Sequence, residues 1–244
     1  MPQAKPVRFP RGLSTAPSYA PLGWYPRPSP FHTHQYDNDF DTYNAADWTL
    51  AATTGTTALT AGNGGLVIQT TAATAADIQH NLKNPAAFAT QAGQGLWFMW
   101  RGQVSSVTDQ LAIMGLQAGG TAFAPVDGIF FTKAAAATAF VLNIRAAGVS
   151  TTLTLPGLVI AAATNYALAF YYDGDRSVTA WGGQITNPGT INSVALSYLG
   201  TIGTMTLTNL PTVNLGVSFG TQNGASVLRT MTTDYIMAAN EIVR

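Results

Sequence analysis

The chain has 244 residues, no cysteine, and eleven basic residues against eleven acidic ones. This length fits one large all-β domain or two small ones, and the lack of cysteine excludes disulfides and thiolate metal sites or nucleophiles. Zero net charge argues against nucleic acid as the main partner, because phosphate binding needs clustered Lys and Arg. Only 9% of the residues are charged. The surface therefore either stays soluble through threonine hydroxyls or meets other protein in an assembly.

The hydrophobic stretches are too short to cross a membrane. Gly, Thr, Asn or Asp interrupts each one well before the roughly 20 residues of a membrane-spanning helix. The first residues, MPQAKPVRFPRG, lack the continuous apolar segment and the cleavage site of a signal peptide. We therefore expect no membrane association and no Sec export.

Residues 1–36 are predicted to form an extended N-terminal arm, because they hold 8 of the 13 prolines. Proline at this density excludes helices and interior strands. The arm carries four basic residues and no acid, so its charge of +4 is balanced by −4 in the rest of the chain. It is also richer in aromatic residues than a solvated linker needs. We expect it to dock, either along its own domain or onto a neighbouring subunit or another protein.

Residues 37–244 are predicted to form one β-sandwich domain, because short Val-, Ile-, Phe- and Thr-rich runs alternate with Gly, Asn and Asp. The predicted strands are Phe40–Thr53, Leu66–Thr71, Leu96–Val104, Leu111–Gln117, Gly128–Thr132, Phe140–Arg145, Ser150–Leu155, Tyr166–Tyr172, Ser177–Trp181, Val213–Gln222 and Ser226–Ala238. Residues Asn84–Gln91 are predicted to be helical, and the alanine-rich residues 133–139 to form a loop. With no βαβ alternation, the pattern indicates an all-β jelly roll of two antiparallel sheets with neighbouring first and last strands.

Two clusters have the residue types of a metal site. Asp37, Asp39 and Asp41 space carboxylates two residues apart, but the Ca²⁺ loop pattern with its bidentate Glu is missing, which favours a polar strand entry. His32 and His34 would share one strand face without an evident third Zn²⁺ ligand, which favours linker histidines. We predict no metal and no cofactor.

The carboxylates also argue against a glycosidase, which needs two of them about 5–10 Å apart. Glu241 is the single glutamate, and Asp77, Asp109, Asp127 and Asp234 are scattered. Serine-nucleophile and phosphate-loop motifs are missing as well. The sequence therefore predicts a non-enzymatic protein.

The segment LWFMW, residues 96–100, is apolar on both sides. Trp97 and Met99 face one way, and Leu96, Phe98 and Trp100 the other. This favours a strand buried between two layers over an exposed aromatic platform for sugars.

The charged residues in FYYDGDRSVTAWGG, residues 170–183, are predicted to form a turn. Asp173–Arg176 would join two antiparallel strands, because Asp and Gly supply the backbone angles of a hairpin. No histidine or glutamate lies near in sequence to complete a metal or catalytic site.

Several motifs in order resemble a family of tailed-bacteriophage virion proteins, structural or capsid-decorating. They are the arm with its continuation to DNDFDTYNAADWTL, then LTAGNGGLVIQTT, LWFMWRGQV, IMGLQ, DGIFFTK, LAFYYDG, VSFGTQNG and TMTTDYIMAANE. The resemblance covers nearly the whole chain and implies a concanavalin/laminin-G-like jelly roll. Residues 182–209 depart from it, since the stretch before VSFG is longer, as an inserted hairpin would be.

The resemblance implies a capsid decoration or cement protein on the outer surface of the virion, made in the host cytoplasm. Its partners would be the major capsid protein and further copies of itself, as a dimer or trimer at capsid axes. The arm would supply the contact, because aromatic residues and arginine dominate interface energies. The predicted partner-binding residues are Arg8, Phe9, Arg11, Leu13, Tyr19, Leu22, Trp24, Tyr25, Arg27 and Phe31.

Two alternatives stay open. The body is either a lectin-like carbohydrate-binding module that contacts a glycan through aromatic side chains such as Tyr198, or a tail or fibre component of the same fold.

Overall fold

A computed structural model describes residues 32–60, 65–185, 196–203 and 209–242. Within these ranges the chain forms fifteen strands, and residues Ala45–Asp47 form a short 3-10 helix. The strands are β1 (Thr33–Asn38), β2 (Trp48–Ala52), β3 (Thr56–Thr60), β4 (Leu66–Thr70), β5 (Ile78–Lys83), β6 (Leu96–Val104), β7 (Gln110–Ala118), β8 (Asp127–Lys133), β9 (Ala139–Ala146), β10 (Val149–Val159), β11 (Thr164–Tyr172), β12 (Val178–Ile185), β13 (Ser197–Ile202), β14 (Gly216–Asn223) and β15 (Thr230–Glu241). No helix in these ranges has the length and hydrophobicity of a membrane span.

The strands form two antiparallel sheets. Sheet A has the order β13-β12-β11-β6-β15-β4-β3, and β1 pairs with the second half of β15. Sheet B has the order β10-β9-β8-β7-β14-β5-β2. The two sheets pack face to face, and contacts between β10 and β13 join them along one side. The prediction of an all-β jelly-roll sandwich is confirmed.

The core lies between the sheets and follows from the two-residue period of the strands. Leu96, Phe98 and Trp100 of β6 belong to this core, whereas Trp97 and Met99 belong to a separate apolar cluster. The predicted division of LWFMW between two buried layers is therefore confirmed.

Aromatic rings link the two sheets across the core. Phe170 on β11 stacks on Phe98 with ring centroids 5.3 Å apart, and it meets Phe131 of sheet B at 6.0 Å. The burial of each large side chain of this kind contributes about 2–3 kcal/mol to the free energy of unfolding. The core thus fixes the position of β6 and β11, which also carry the outer cluster.

The predicted helix at Asn84–Gln91 is wrong. The N–H groups of Ala87 and Phe88 both donate to the Leu215 carbonyl at 3.1 Å, and Leu215 N–H donates back to Phe88 at 2.6 Å. The backbone there forms an isolated bridge to the residue preceding β14. Because the N–H groups of Ala87 and Phe88 bond to Leu215, they are not available for the hydrogen bonds of a helical turn.

The predicted strand Phe40–Thr53 is too long at its start, because only Trp48–Ala52 forms a strand. Phe40 has a φ of 57°, in the left-handed region, and its N–H donates to the Asn38 side chain at 2.7 Å. Its fully buried ring packs edge-on against Phe219. Residues 39–44 therefore form a turn that places Phe40 in the core.

The predicted boundary between arm and domain, at residues 36 and 37, falls within β1. The last proline of the arm is Pro30, so residues from Thr33 to Asn38 can donate to a ladder. β1 pairs with β15 in register from Thr33 opposite Glu241 to Asn38 opposite Ile236.

The hairpin predicted at Asp173–Arg176 is confirmed, since Tyr172 pairs with Val178. Asp173 Oδ1 accepts hydrogen bonds from the N–H groups of Asp175, Arg176 and Ser177 at 2.8–3.0 Å. Burial raises the pKa of Asp173, but these hydrogen bonds outweigh it and hold that pKa below its usual value. The carboxylate closes the turn.

Candidate binding face

The ten predicted partner-binding residues of the arm, Arg8 to Phe31, lie outside the described residues. Their role stays a prediction. The structure shows where the arm meets the sandwich. The His32 carbonyl accepts a hydrogen bond from Ile242 N–H at 2.9 Å, and Thr33 pairs with Glu241. The arm joins the sandwich where β15 ends.

Two of the residues considered for metal binding have other contacts. The Asp37 carboxylate is hydrogen-bonded to the Tyr235 hydroxyl, and the His34 ring packs against Phe88 with centroids 5.3 Å apart. Across residues 32–242, excluding the three internal gaps, no three His, Asp or Glu side chains are placed to hold a metal ion.

A second apolar cluster covers the outer face of sheet A, and we call it the aromatic face. Its members are Trp97, Met99, Ala167, Ala169, Tyr171, Trp181, Ile185, Leu196, Tyr235, Met237 and Ala239. An antiparallel sheet at a protein surface usually has one apolar and one polar face. Sheet A is apolar on both.

The centre of the aromatic face is set by the register of β15, β6 and β11. Met237, Met99 and Ala169 lie side by side, and in the next row Trp97 lies beside Tyr171. The rings of Trp97 and Tyr171 are 4.8 Å apart and tilted by 30°. The indole Nε1 of Trp97, a residue only 4% exposed, has no hydrogen-bond partner in the part of the chain that the structure describes.

One end of the aromatic face is charged. A bulge in β15 brings Asp234 within 2.5 Å of the Arg101 guanidinium, which also lies 5.9 Å from the centre of the Tyr235 ring. Burial, reinforced by the neighbouring Asp37 carboxylate, raises the pKa of Tyr235 above its usual value. Tyr235 therefore keeps its proton at neutral pH and acts as a hydrogen-bond donor.

The opposite end carries hydroxyl groups beside two aromatic rings, of which Trp181 is half-buried and Tyr198 is exposed. Tyr198 on edge strand β13 lies opposite Trp181, and Thr201 lies opposite Thr179. Tyr198 is 64% exposed, its hydroxyl donates to Thr201 Oγ1 at 3.2 Å, and the two threonine oxygens are 3.0 Å apart. This end combines flat apolar rings with hydroxyl groups.

Sequence reasoning identified Trp97 and Met99 of this face, and Tyr198 beside it, but missed its other aromatic members. The signal was present in YALAFYY, residues 166–172, where Ala167, Ala169 and Tyr171 share one side. Three apolar residues on the side opposite the core indicate a second buried layer.

On the outer face of sheet B, glycines lie very close to the neighbouring strands. A Cβ added at Gly115 would lie 2.4 Å from the Cα of Phe130, and one at Gly220 would lie 2.8 Å from the His80 ring. His80 is buried, hydrogen-bonded to Gln117 at 3.2 Å, and burial lowers its pKa to about 4. This histidine is neutral at pH 7.

No protein-family model and no curated protein matches the chain. Solved structures do resemble it. A Streptomyces sioyaensis endo-1,3-beta-glucanase shares 11% identity over 89% of this chain and 99% of its own, with a TM-score of 0.57. A Lotus tetragonolobus seed lectin shares 8% identity over 86% and 100%, with a TM-score of 0.57. The CBM2 module of the evolved Dit of Lactobacillus casei BL23 phage J-1 shares 14% over 87% and 98%, with a TM-score of 0.53.

At such low sequence identity, these similarities show a shared fold but not a shared function. The chain has the concanavalin-like jelly roll found in a glucanase, a lectin and a phage module. Because this fold carries both enzymes and binding proteins, the function has to be argued from the surfaces of this chain.

Proposed function

We propose that the protein is a non-enzymatic structural subunit on the outer surface of a tailed-phage particle, bound to the major capsid protein through its N-terminal arm. The observation that carries this proposal is that His32 and Thr33, where the arm meets the sandwich, are hydrogen-bonded to the end of β15. This gives the arm a fixed starting point on the body from which it can reach a partner. The ordered virion motifs and the phage module among the fold neighbours support the setting.

The carboxylates support a role without catalysis. Asp77 binds the backbone of Thr54 and Ala72, and Glu241 accepts from Gly95 N–H at 2.7 Å. Asp109 and Asp234 each form an ion pair with an arginine. Carboxylates bound in this way hold loops together, whereas glycoside hydrolysis requires an acid and a base or nucleophile facing one substrate.

The arm is tested by deletion. The deletion should end at residue 31, because removing residues 33–38 would take away a strand that pairs with β15. We expect the truncated protein to keep its β-sheet circular dichroism and thermal unfolding but to stop co-sedimenting with heads that lack this protein. A full-length variant with Arg8, Arg11 and Arg27 replaced by Gln measures how much the arm's charges contribute to head binding, because its aromatic residues are unchanged. Normal head binding by the truncated protein would contradict the proposal.

Carbohydrate binding is the second candidate, and the Trp181–Tyr198 end of the aromatic face favours it. Aromatic rings can stack on sugar rings while the hydroxyls of Thr179 and Thr201 bond to sugar hydroxyls. The test is a glycan array with the wild type, with Trp181→Ala and Tyr198→Ala, and with Val149→Ala as an exposed control on β10. Binding lost only in the aromatic variants would support this candidate, and a blank array with the wild type would remove it.

A further inference from the structure

The aromatic face contains a buried polar atom without a partner. Trp97 is 4% exposed, and its indole Nε1 donor has no acceptor in the part of the chain that the structure describes. The backbone of β6 is hydrogen-bonded to β15 on one side and to β11 on the other, so the sheet itself does not supply an acceptor. A buried donor without an acceptor costs free energy. A segment that packs on this face should therefore bring a carbonyl oxygen to Trp97.

The N-terminal arm enters the fold next to this donor. Gln35 of β1, Ala239 of β15 and Trp97 of β6 lie in one row across sheet A. With about 4.8 Å between strands, Trp97 is only about 10 Å from β1. The five strand intervals from β1 to β13 span about 24 Å, which about 8 residues of polyproline II helix would cover. The segment that precedes β1 is thus tethered at one edge of the aromatic face and is long enough to cross it.

Residues 17–31, PSYAPLGWYPRPSPF, have a composition that suits the face of a sheet. Five of these fifteen residues are proline, which has no N–H group, and every residue still offers a carbonyl. This matters because the face of a sheet presents side chains and no free backbone groups, so a docked segment finds few acceptors there. A proline-rich segment also loses little entropy on docking, and such segments bind aromatic-lined grooves in other proteins.

The charges of this segment and of the face are complementary. Burial raises the pKa of Tyr235, and the carboxylates of Asp37 and Asp39 raise it further, which places both acids near the β1 edge of the face. The segment carries Arg27 and no acidic residue. Residues 186–195, which connect β12 to β13, lack this match, because they contain no charged residue and only one proline.

We propose that residues 17–31 lie across the aromatic face of their own chain, with one of their carbonyls accepting a hydrogen bond from Trp97. The tether at β1 favours the same chain, because it keeps the segment at a high effective concentration beside the face. The inference rests on the proposed function for its biological setting. It leaves residues 1–16, with Arg8 and Arg11, to contact the capsid, and it fixes the point of the body from which they extend.

The test is photo-crosslinking of the full chain. Thr179 lies in the same row as Trp97 and Tyr171, and the chain has no cysteine, so Thr179→Cys can be labelled at that position alone with benzophenone maleimide. We expect illumination to link the label to residues 17–31, which mass spectrometry of the digested protein would detect. Thr201→Cys, opposite Thr179 on β13, provides a second labelling point.

Two controls accompany this measurement. Val149→Cys, at an exposed position on β10 of sheet B, carries the same label and should not crosslink to the arm. Mixing the labelled protein with unlabelled ¹⁵N-enriched protein distinguishes a contact within one chain from a contact between copies.

The aromatic residues of the segment are tested in the labelled protein. Replacing Tyr19, Trp24 and Tyr25 with Ser should lower the crosslink yield about fivefold or more, because their rings would no longer pack on the face. Replacing Arg8 and Arg11 with Gln is the matched control within the arm and should leave the yield unchanged.

The inference is overturned if neither labelling point crosslinks to residues 17–31, if the label links to residues 186–195 instead, or if the arm crosslinks join different copies. A yield that the three Ser substitutions leave unchanged would also overturn it. Head co-sedimentation separates these results from failure of the proposed function. A protein that crosslinks as expected but does not bind heads contradicts the proposed function alone. A labelled protein that binds heads but crosslinks elsewhere contradicts this inference alone.

Discussion

Replacing Lys133 with Met tests the buried ammonium beneath the loop of residues 134–137. Methionine keeps most of the buried stem but removes the donor to the carbonyls of Val107, Gln110 and Ala134. The carbonyls of Val107 and Ala134 keep backbone N–H donors, so the Gln110 carbonyl is the one that depends on Lys133. A buried acceptor without a partner costs about 1–3 kcal/mol. Removing a buried ammonium returns part of this, because burial lowers the pKa of Lys133 from 10.5 to about 8. We expect Lys133→Met to lower the free energy of unfolding by about 1 kcal/mol or less at pH 7.

The same substitution has a pH dependence with a defined sign. Between pH 8 and 10.5 the folded chain releases the Lys133 proton while the unfolded chain keeps it, so wild-type stability rises with pH. The shift corresponds to an additional ~2–3 kcal/mol at pH 10 that Lys133→Met cannot gain. Urea unfolding of both proteins at pH 7 and pH 10 measures this difference, and tyrosine titration affects both equally. A penalty that stays constant or shrinks at pH 10 would show that the carbonyls hold the ammonium charged, and would refute the reasoning.

Two further predictions concern the turn and the aromatic face. Asp173→Ala should lower the free energy of unfolding by about 1 kcal/mol, since three backbone N–H groups lose their acceptor at a solvent-exposed turn. Asp173→Asn should retain most of the wild-type stability, because the amide oxygen can still accept from these N–H groups. In urea titrations the gap between wild type and Asp173→Ala should close as the pH falls below the ordinary value of 3.8, where the carboxylate takes up a proton. Trp97→Phe should cost about 1 kcal/mol or less, because the indole N–H it removes has no partner among the described residues, whereas Trp97→Ala should cost about 3–5 kcal/mol. Thermal unfolding of both Trp97 variants checks this, and an equal loss in the two would contradict it.

The sequence predicted the central strands, whose apolar residues face the core. β6 was predicted with the bounds that the structure shows, and β7, β8 and β9 to within one residue at each end. These strands lie inside the sheets, where burial on the inner face produces clear alternation.

β5 was missed because its inner face is polar. Gln79 and Asn81 point between the sheets, and Asn81 bonds to Gln69 at 2.6 Å and to Tyr43 at 2.7 Å. Such a strand satisfies its buried groups through side-chain hydrogen bonds that no local pattern reveals. The bridge from Phe88 to Leu215 also could not be predicted from a local pattern, because the two residues are 127 positions apart in the sequence.

The composition of the outer surfaces follows from how this chain uses its few charges. Lys133, Asp77 and the Asp109–Arg229 pair hold loops from below, and Arg101 with Asp234 fixes the bulge of β15. Side chains used in this way leave the outer surfaces to alanine, threonine and aromatic residues. A protein with no net charge and such surfaces has little electrostatic repulsion between copies near neutral pH. The low charge of the sequence therefore favours contacts with other protein.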